Sequence, residues 1–488
     1  MEDQNVVKET LDEKYEIASD EGSWSAEEEA QVRRQLDWRL LPLLVVLYLL
    51  CFLDRWVTRN ARIQGMQKDL NLVGFRFNWA LTAFYIPFLL IEIPSNILLK
   101  RIGPKIYIPA IIIAFGIVSM GTAFVRSFQE LCVARAFLGL AEGGTMPGMA
   151  FFMSCFYKRA ELLFRVGLLA SAGSLAGAFG GFLATALTRI PEWGPKGSEL
   201  HTWRNIFFFE GIITIAIGVL GYFLMPKTPQ SCTFLSERQR WIAAERMRIE
   251  HRELASEKTE SWHVKRAIFN INNIICCMGF FFCNITVQSF SLFLPTILSA
   301  LGWRATKAQL LTVPPYVVAC CFSLAIARLS DLHRKRGLYV ILCTALTLTG
   351  YSILVSVDEP NIKYMAVFFA SSGAFPLGVT FLSWGLNNAA GPSVRAVTGG
   401  YIVSIGTCGA IVATWTYVPS DAPRYIRGHS INLGGEVCVA LIGLLGILYV
   451  RRENALRDRG GRDSRLVGLT EEQAQKLGYR HPEFRYIE

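Results

Sequence analysis

Apolar residues along this chain gather into blocks of roughly 20, each long enough to cross a hydrocarbon core of about 30 Å as a helix. Charged stretches separate them. The blocks predict spans near residues 40–59, 78–99, 104–124, 129–156, 163–188 and 204–225. After a polar stretch a second set follows near 270–299, 308–329, 338–357, 363–387, 396–418 and 431–450. The expected fold class is therefore all-α and integral to a membrane, with 12 transmembrane helices in two six-helix halves. The domains read as an acidic tail over 1–38, an N-terminal half over 39–225, a linker over 226–269, a C-terminal half over 270–450 and a second tail over 451–488. Within the linker, the run from Ser236 to Arg246 has amphipathic helical spacing, which predicts a helix along the membrane surface or beneath the bundle.

Composition supports the bilayer reading. Of 488 residues, 52% are hydrophobic and only 18% charged, where soluble domains carry about 25% charge. The net charge of +10 would in a soluble protein raise the question of nucleic acid. In a membrane protein it reflects a Lys/Arg excess in loops on one side, so no nucleic-acid partner is expected. With the amino terminus inside, the inner segments carry roughly twice the Lys/Arg of the outer ones, which predicts both termini and the linker in the cytosol. The stretch from Met1 to Ala30 lacks an apolar signal-peptide core, so the first span doubles as the insertion signal. Most of the twelve cysteines, such as Cys51, Cys276, Cys277, Cys320, Cys321 and Cys438, lie in apolar runs and behave as small hydrophobes. No CxxC or Cys/His spacing suggests a metal site. No cofactor is expected either.

Two six-helix halves joined by a cytosolic linker are the plan of major facilitator transporters, whose site lies at midplane between the halves. Arg101-Ile-Gly-Pro-Lys, between the second and third spans, corresponds in position to Leu329-Ser-Asp-Leu-His-Arg-Lys-Arg between the eighth and ninth. These resemble two degenerate copies of that superfamily's cytoplasmic gate motif. Lys100, Arg101, Asp331 and Arg334, with Arg336, are the gate candidates, and Lys100 stands where an aspartate is common. In the fifth span, Gly173, Gly177, Gly180 and Gly181 place small residues where close helix contact is possible.

Charges inside apolar spans are costly, so they serve function or pair with one another. Asp54 and Arg55 sit roughly 20 Å from the inner end of the first span at 1.5 Å per residue. In the fourth, Arg135 and Glu142 are seven apart and share a face, with the acid near midplane. The four could be a buried cluster that merely holds helices together, but small residues do that at less cost. Tyr48 and Arg59 share a helical stripe with Arg55. Tyr85, Asn284, Gln288, Trp384 and Asn388 are further cavity candidates, each also readable as a satisfied packing residue. Glu92 and Glu210 read as braces for loops or span ends.

Several segments together resemble the fungal allantoate permease family of the major facilitator superfamily, within the anion:cation symporters. They are Tyr48-Leu-Leu-Cys-Phe-Leu-Asp-Arg, Glu92-Ile-Pro-Ser-Asn-Ile-Leu-Leu-Lys-Arg, Arg135 through Pro147, Trp203-Arg204, Phe209-Glu-Gly, Phe293-Leu-Pro-Thr-Ile and Asp421-Ala-Pro-Arg-Tyr. The tail Leu477-Gly-Tyr-Arg-His-Pro-Glu-Phe-Arg-Tyr is the most distinctive. The resemblance implies proton-coupled import of a small organic anion such as nicotinate, pantothenate, allantoate or biotin, at the plasma membrane. It implies Arg55 as the carboxylate-binding residue, and Asp54 and Glu142 as proton carriers. A guanidinium offers a fixed fork for a carboxylate. If protonating the acid frees Arg55, proton and anion assist each other's binding. One proton per monoanion would be electroneutral, and a second would let the membrane potential contribute about 2.3 kcal/mol per 100 mV.

The chain departs from the family where Trp56, Val57 and Arg59 replace a usual threonine, asparagine and glycine, and where Gly406-Thr407 replaces a glycine–asparagine pair. These changes leave the substrate open. Three rival readings remain: a proton-driven exporter of a drug or metabolite on the same fold, a polytopic membrane enzyme, and a nutrient sensor without flux. No histidine falls within a predicted span, and no paired-His or Ser/His/Asp grouping is apparent, which counts against the enzyme.

Overall fold

The computed structural model describes residues 24–194, 200–255, 261–303, 305–390, 392–470, 474 and 477–488. Its regular structure is helical, and one isolated bridge, Trp193 to Leu200, is the only β pairing among the described residues. The six N-terminal spans are α1 (Ala26–Ala61), α2 (Arg76–Ile102), α3 (Pro104–Thr122), the pair α4 (Phe128–Glu142) and α5 (Thr145–Ser154), α6 (Arg159–Leu187) and α7 (Thr202–Leu224). Two linker helices follow, α8 (Glu237–Ala255) and α9 (Ser261–Ile268). The second set is α10 (Ile271–Ala300), α11 (Ala305–Leu310) leading into α12 (Val313–His333), α13 (Arg336–Ser356), α14 (Pro360–Asn387), α15 (Pro392–Ala413) and α16 (Ile426–Asp458). Eight of these segments are long and apolar enough to cross a bilayer by themselves. The others complete the 12-helix topology of two six-helix halves. Large apolar side chains such as Leu90, Phe182, Phe223 and Leu445 are exposed around the bundle, as lipid-facing surfaces require.

Three boundaries differ from the hydropathy reading for physical reasons. The acid-rich segment 26–38, expected as tail, is the start of α1. Ser25 and Glu28 form a capping box, each side chain bonded to the other's backbone N–H at 3.1 and 3.0 Å. Val32 and Leu36, four apart, are fully buried there. The fourth span is two helices because the chain breaks at Gly143-Gly144. The last span starts at Ile426, five residues before its apolar block, so His429 lies inside a helix after all.

The halves pack internally through α3 on α7, α2 on α4 and α1 on α6, and through α10 on α15 and α13 on α14 and α16. They meet through α12 and α11 on α6, α10 on α1, and α15 on α2. The linker helices are shared out. Arg246 of α8 is buried beneath the N-terminal half and donates to the Phe156 carbonyl at 2.6 Å, and Arg238 pairs with Glu28 at 2.7 Å. The end of α9 belongs to the other half, where Ala267 is buried with Ala389 and Val394. The bundle end that holds the described chain ends and α8 is called the terminal face below, and the opposite end the far face.

Candidate functional site

Four buried charges of the N-terminal half come together around α1, with a fifth beside them. Arg55 donates through Nε to Glu142 Oε1 at 2.8 Å, joining α1 to the end of α4. The approach of α4 to α2 makes this possible, because a Cβ at Gly139 would sit 2.2 Å from the Phe84 carbonyl oxygen. No larger residue fits that crossing. The Glu142 side chain is 1% exposed and that of Arg55 15%, so the arginine faces the open side. The Arg55 guanidinium lies 4.8–5.4 Å from the ring centres of Phe52, Phe84 and Phe88, a weakly polar collar that attracts the cation without discharging it. Among the described residues its only hydrogen bond is the one to Glu142.

Asp54 points the other way, into the half, and accepts from Ser119 of α3 at 2.6 Å. Arg135 is buried 5.7 Å from the Phe207 ring, and the charges acting on it are Asp54, Glu142 and Glu210. Glu210 of α7 is 1% exposed and neither of its carboxyl oxygens has a hydrogen bond. It is therefore part of the charged cluster rather than a brace at a span end. Three acids thus face two arginines. One Asp54 oxygen and one Glu142 oxygen also lack partners.

The cavity candidates divide. Tyr85 of α2 donates to Gln288 of α10 at 3.1 Å, Gln288 donates to Asn284 at 3.4 Å, and Asn284 donates to the Gly406 carbonyl at 2.8 Å. That chain of amides crosses between the halves at the level of Arg55. Tyr48, partly buried, packs edge-on against Phe52 at 5.0 Å, on the same side of the helix as Arg55. Arg59 is not in the cavity. It is fully buried nearer the far face, donating to the Ser291 carbonyl at 2.5 Å, the Phe290 carbonyl at 3.3 Å and the Tyr316 hydroxyl at 3.1 Å. Trp56 lies under its guanidinium at 4.1 Å and is received by Gly177 of α6.

Trp384 and Asn388, expected to line the cavity, lie at the terminal-face end of α14 and hold the chain's own tail. Trp384 Nε1 donates to the Ile487 carbonyl at 2.9 Å. Asn388 donates to the same oxygen at 3.0 Å and accepts from the Ile487 N–H at 2.7 Å. Of the gate candidates, Asp331 pairs with Arg336, not with Arg334, which is exposed in a left-handed conformation at the end of α12. Arg101 is exposed at the end of α2, and the side chain of Lys100 lies outside the described residues.

The halves are joined on the far-face side. Besides Arg59, Asn78 donates to the Thr414 carbonyl at 2.6 Å, Thr82 meets Thr414 at 3.0 Å, and Gln64 donates to Gln309 at 3.0 Å. Glu92, seven residues nearer the terminal face than Tyr85 on α2, reaches Ser404 of α15. Among the described residues no hydrogen bond or ion pair ties the helix ends of the two halves together at the terminal face. A shallow recess lined by Ile190, Pro191, Glu192, Trp193 and Phe209 lies near the far-face ends of α6 and α7, away from the charges.

Comparison with known proteins agrees with this fold. The family model described as Major Facilitator Superfamily matches residues 44–447. An MFS-type transporter of Penicillium expansum is 32% identical over 483 residues, covering 96% of this chain and 92% of the relative. The high-affinity nicotinic acid transporter of Saccharomyces cerevisiae is 27% identical over 463 residues, covering 94% and 85%. The crystal structure of a bacterial homologue of the human lysosomal transporter Spinster, inward-facing and unoccupied, superposes with a TM-score of 0.64 at 14% identity, covering 87% of this chain and 97% of that one.

Proposed function

This chain belongs to the major facilitator superfamily and is a secondary transporter, not an enzyme; from that premise we propose that it imports a small organic anion, a monocarboxylate, together with protons. The observation that carries the proposal is the Arg55–Glu142 pair. It is one cation, held by one hydrogen bond to a buried acid, with its other donors turned to the open side. In the empty site Glu142 neutralises Arg55. Protonating Glu142 removes that competitor, and the guanidinium then takes a substrate carboxylate through two donors. Proton and anion therefore favour each other's binding by the same factor. Asp54, on the Ser119 hydroxyl and near Arg135, is the second acid that changes charge during the cycle. The amide chain from Tyr85 to Asn284 lies where the rest of a small substrate would rest.

With both termini in the cytosol, as the Lys/Arg bias supports, the far face is extracellular and the molecule is closed outside and open inside. Arg59, Asn78 and Gln309 then form the outer seal. The yeast relative's name, a nicotinic acid transporter, supports a monocarboxylate as the first substrate to test.

The test is uptake of radiolabelled nicotinate, pantothenate and related monocarboxylates into transporter-deficient yeast at about pH 5 and about pH 7.5. Saturable uptake, faster in acid, collapsed by a protonophore and lost in Arg55→Ala at normal surface expression is expected. Normal proton-driven uptake by Arg55→Ala sinks the scheme. If no anion is taken up despite surface expression, the export reading takes its place.

A further inference from the structure

We propose that Glu436 is a second proton-binding site, housed in the C-terminal half and separate from the Arg55 cluster. Glu436 lies in α16, is 0% exposed, and neither carboxyl oxygen has a hydrogen-bond partner. The polar and titratable side chains that face it among the described residues are neutral. Thr286 of α10 lies beside the carboxyl, and its hydroxyl is itself buried without a partner. Cys283 of the same helix and Cys343 and Tyr351 of α13 are the titratable groups that face it. The Tyr351 hydroxyl lies toward Tyr417. His429, about two turns away on α16, is bonded to Tyr417 at 3.0 Å and feels Lys363, not Glu436.

The contrast with the N-terminal acids is in the counter-charge. Glu142 has Arg55, and Asp54 has Ser119 and Arg135. Among the described residues no Lys, Arg or His acts on Glu436. A carboxylate buried with no cation among the described residues and at most the one Thr286 hydroxyl to donate is among the most expensive groups a membrane interior can hold, whereas the neutral acid needs only one acceptor. The idle Thr286 hydroxyl is that acceptor. The ligand is therefore a proton, not a metal cation, since one hydroxyl and one carboxyl do not supply the six or so oxygens a hard cation takes.

The site is also placed to exchange its proton. Thr286 lies two residues before Gln288 and four before Phe290 on α10, the helix that Tyr85 and Arg59 grip from the other half. When those grips release as the far face opens, α10 moves and the cover over Glu436 changes with it. This step rests on the alternating-access reading above but not on the identity of the anion. A proton here, added to those carried by the N-terminal acids, gives a monoanion a net positive charge in transit, so the membrane potential would help drive it.

The experiment uses the purified full chain in lipid nanodiscs, without substrate. Infrared difference spectra are recorded between acid and alkaline buffer in the region of protonated carboxylic acids. The native chain is expected to lose an acid band on alkalinisation that is missing in Glu436→Gln and retained in Glu142→Gln. Thr286→Val, which keeps the carboxyl and its packing, is expected to shift that band to higher frequency, and it serves where the Gln variant fails to fold. Spectra of Glu436→Gln that superimpose on the native ones overturn the proposal. So does a Glu436 band that is the same in both buffers, which would make it a fixed neutral acid. Failure of the anion-import reading shows separately, as absence of labelled nicotinate uptake, and leaves the infrared result unchanged.

Discussion

Replacing Arg59 by methionine isolates the far-face seal, because methionine keeps the length and packing of the side chain and removes its donors. In the structure the guanidinium is fully buried with no acid beside it, and it reaches three acceptors on the other half, the nearest the Ser291 carbonyl at 2.5 Å. Trp56, 4.1 Å away, lies on the same helix, so that contact persists when the halves part. Hydrogen bonds from a charged donor contribute about 1.5–3 kcal/mol each net of water. Burying a guanidinium costs several kcal/mol, softened by its weak hydration. Nη1 has two N–H groups to share among these acceptors, and Nε and Nη2 are buried without partners among the described residues, so about two such bonds against that cost leave about 1–2 kcal/mol holding the halves together, or roughly a 5- to 30-fold bias toward the closed far face. Hydrogen–deuterium exchange of the purified chain reads this directly. Amides at 60–66 and 414–417, on either side of the seal, should lose protection by that factor in Arg59→Met, while those of α8 stay as they were. Arg59→Lys, with a point charge in place of the fork, should fall between. Unchanged exchange at 60–66 in a folded Arg59→Met would refute the seal.

Three further outcomes are expected. A Cβ at Gly177 would lie 1.7 Å from the Trp56 indole, so Gly177→Ala should lower the melting temperature by an overpacking penalty of about 1–3 kcal/mol. Trp56→Thr in the same chain should restore it, and additive losses in the double variant would count against that contact. Glu142→Gln mimics the protonated acid, so nicotinate uptake at about pH 7.5 should match or exceed that at about pH 5 while accumulation against a gradient is lost; retention of the native acid stimulation would remove Glu142 as the proton carrier. Asn388→Ala deletes both its hydrogen bonds to Ile487, and exchange at 484–488 should rise several-fold with none at 60–66, whereas unaltered tail protection would assign the docking to the Trp384 bond and the rest of the tail's contacts.

Much of this architecture is legible along the chain, because a bilayer imposes one length and one polarity on every span. What escapes hydropathy has local causes. The α1 extension is hidden by its acids, although Ser25, Glu28 and the Val32–Leu36 spacing announce a capped amphipathic helix. The break in the fourth span comes from two glycines inside an otherwise unbroken apolar block. Asp54, Arg55, Arg135 and Glu142 stand out because charge in a span is conspicuous, and the fold does bring them together. Glu436 and Glu210 emit the same signal. Neither has a helical-spacing partner of opposite charge on its own span, so the sequence does not say what they face. Arg59 shares a stripe with Arg55, but depth decides its role, and one turn higher on α1 the other half closes over it. Trp384 and Asn388 are ambiguous in kind, since the end of a pore-facing helix and a docking place for a tail need the same amphipathic residues.

The division of the linker sets a mechanical limit on the machine. Helix α8 travels with the N-terminal half through Arg246 and Arg238, and α9 with the C-terminal half through Ala267. Six peptide steps separate Ala255 from Ser261, and a trans chain covers at most about 3.6 Å per step. However far the halves tilt, those two helix ends stay within about 22 Å of each other. The segment is thus a short leash with a firm hold at each end. It caps the stroke at the terminal face and makes the width of that opening a property of chain length, adjustable residue by residue without touching the site.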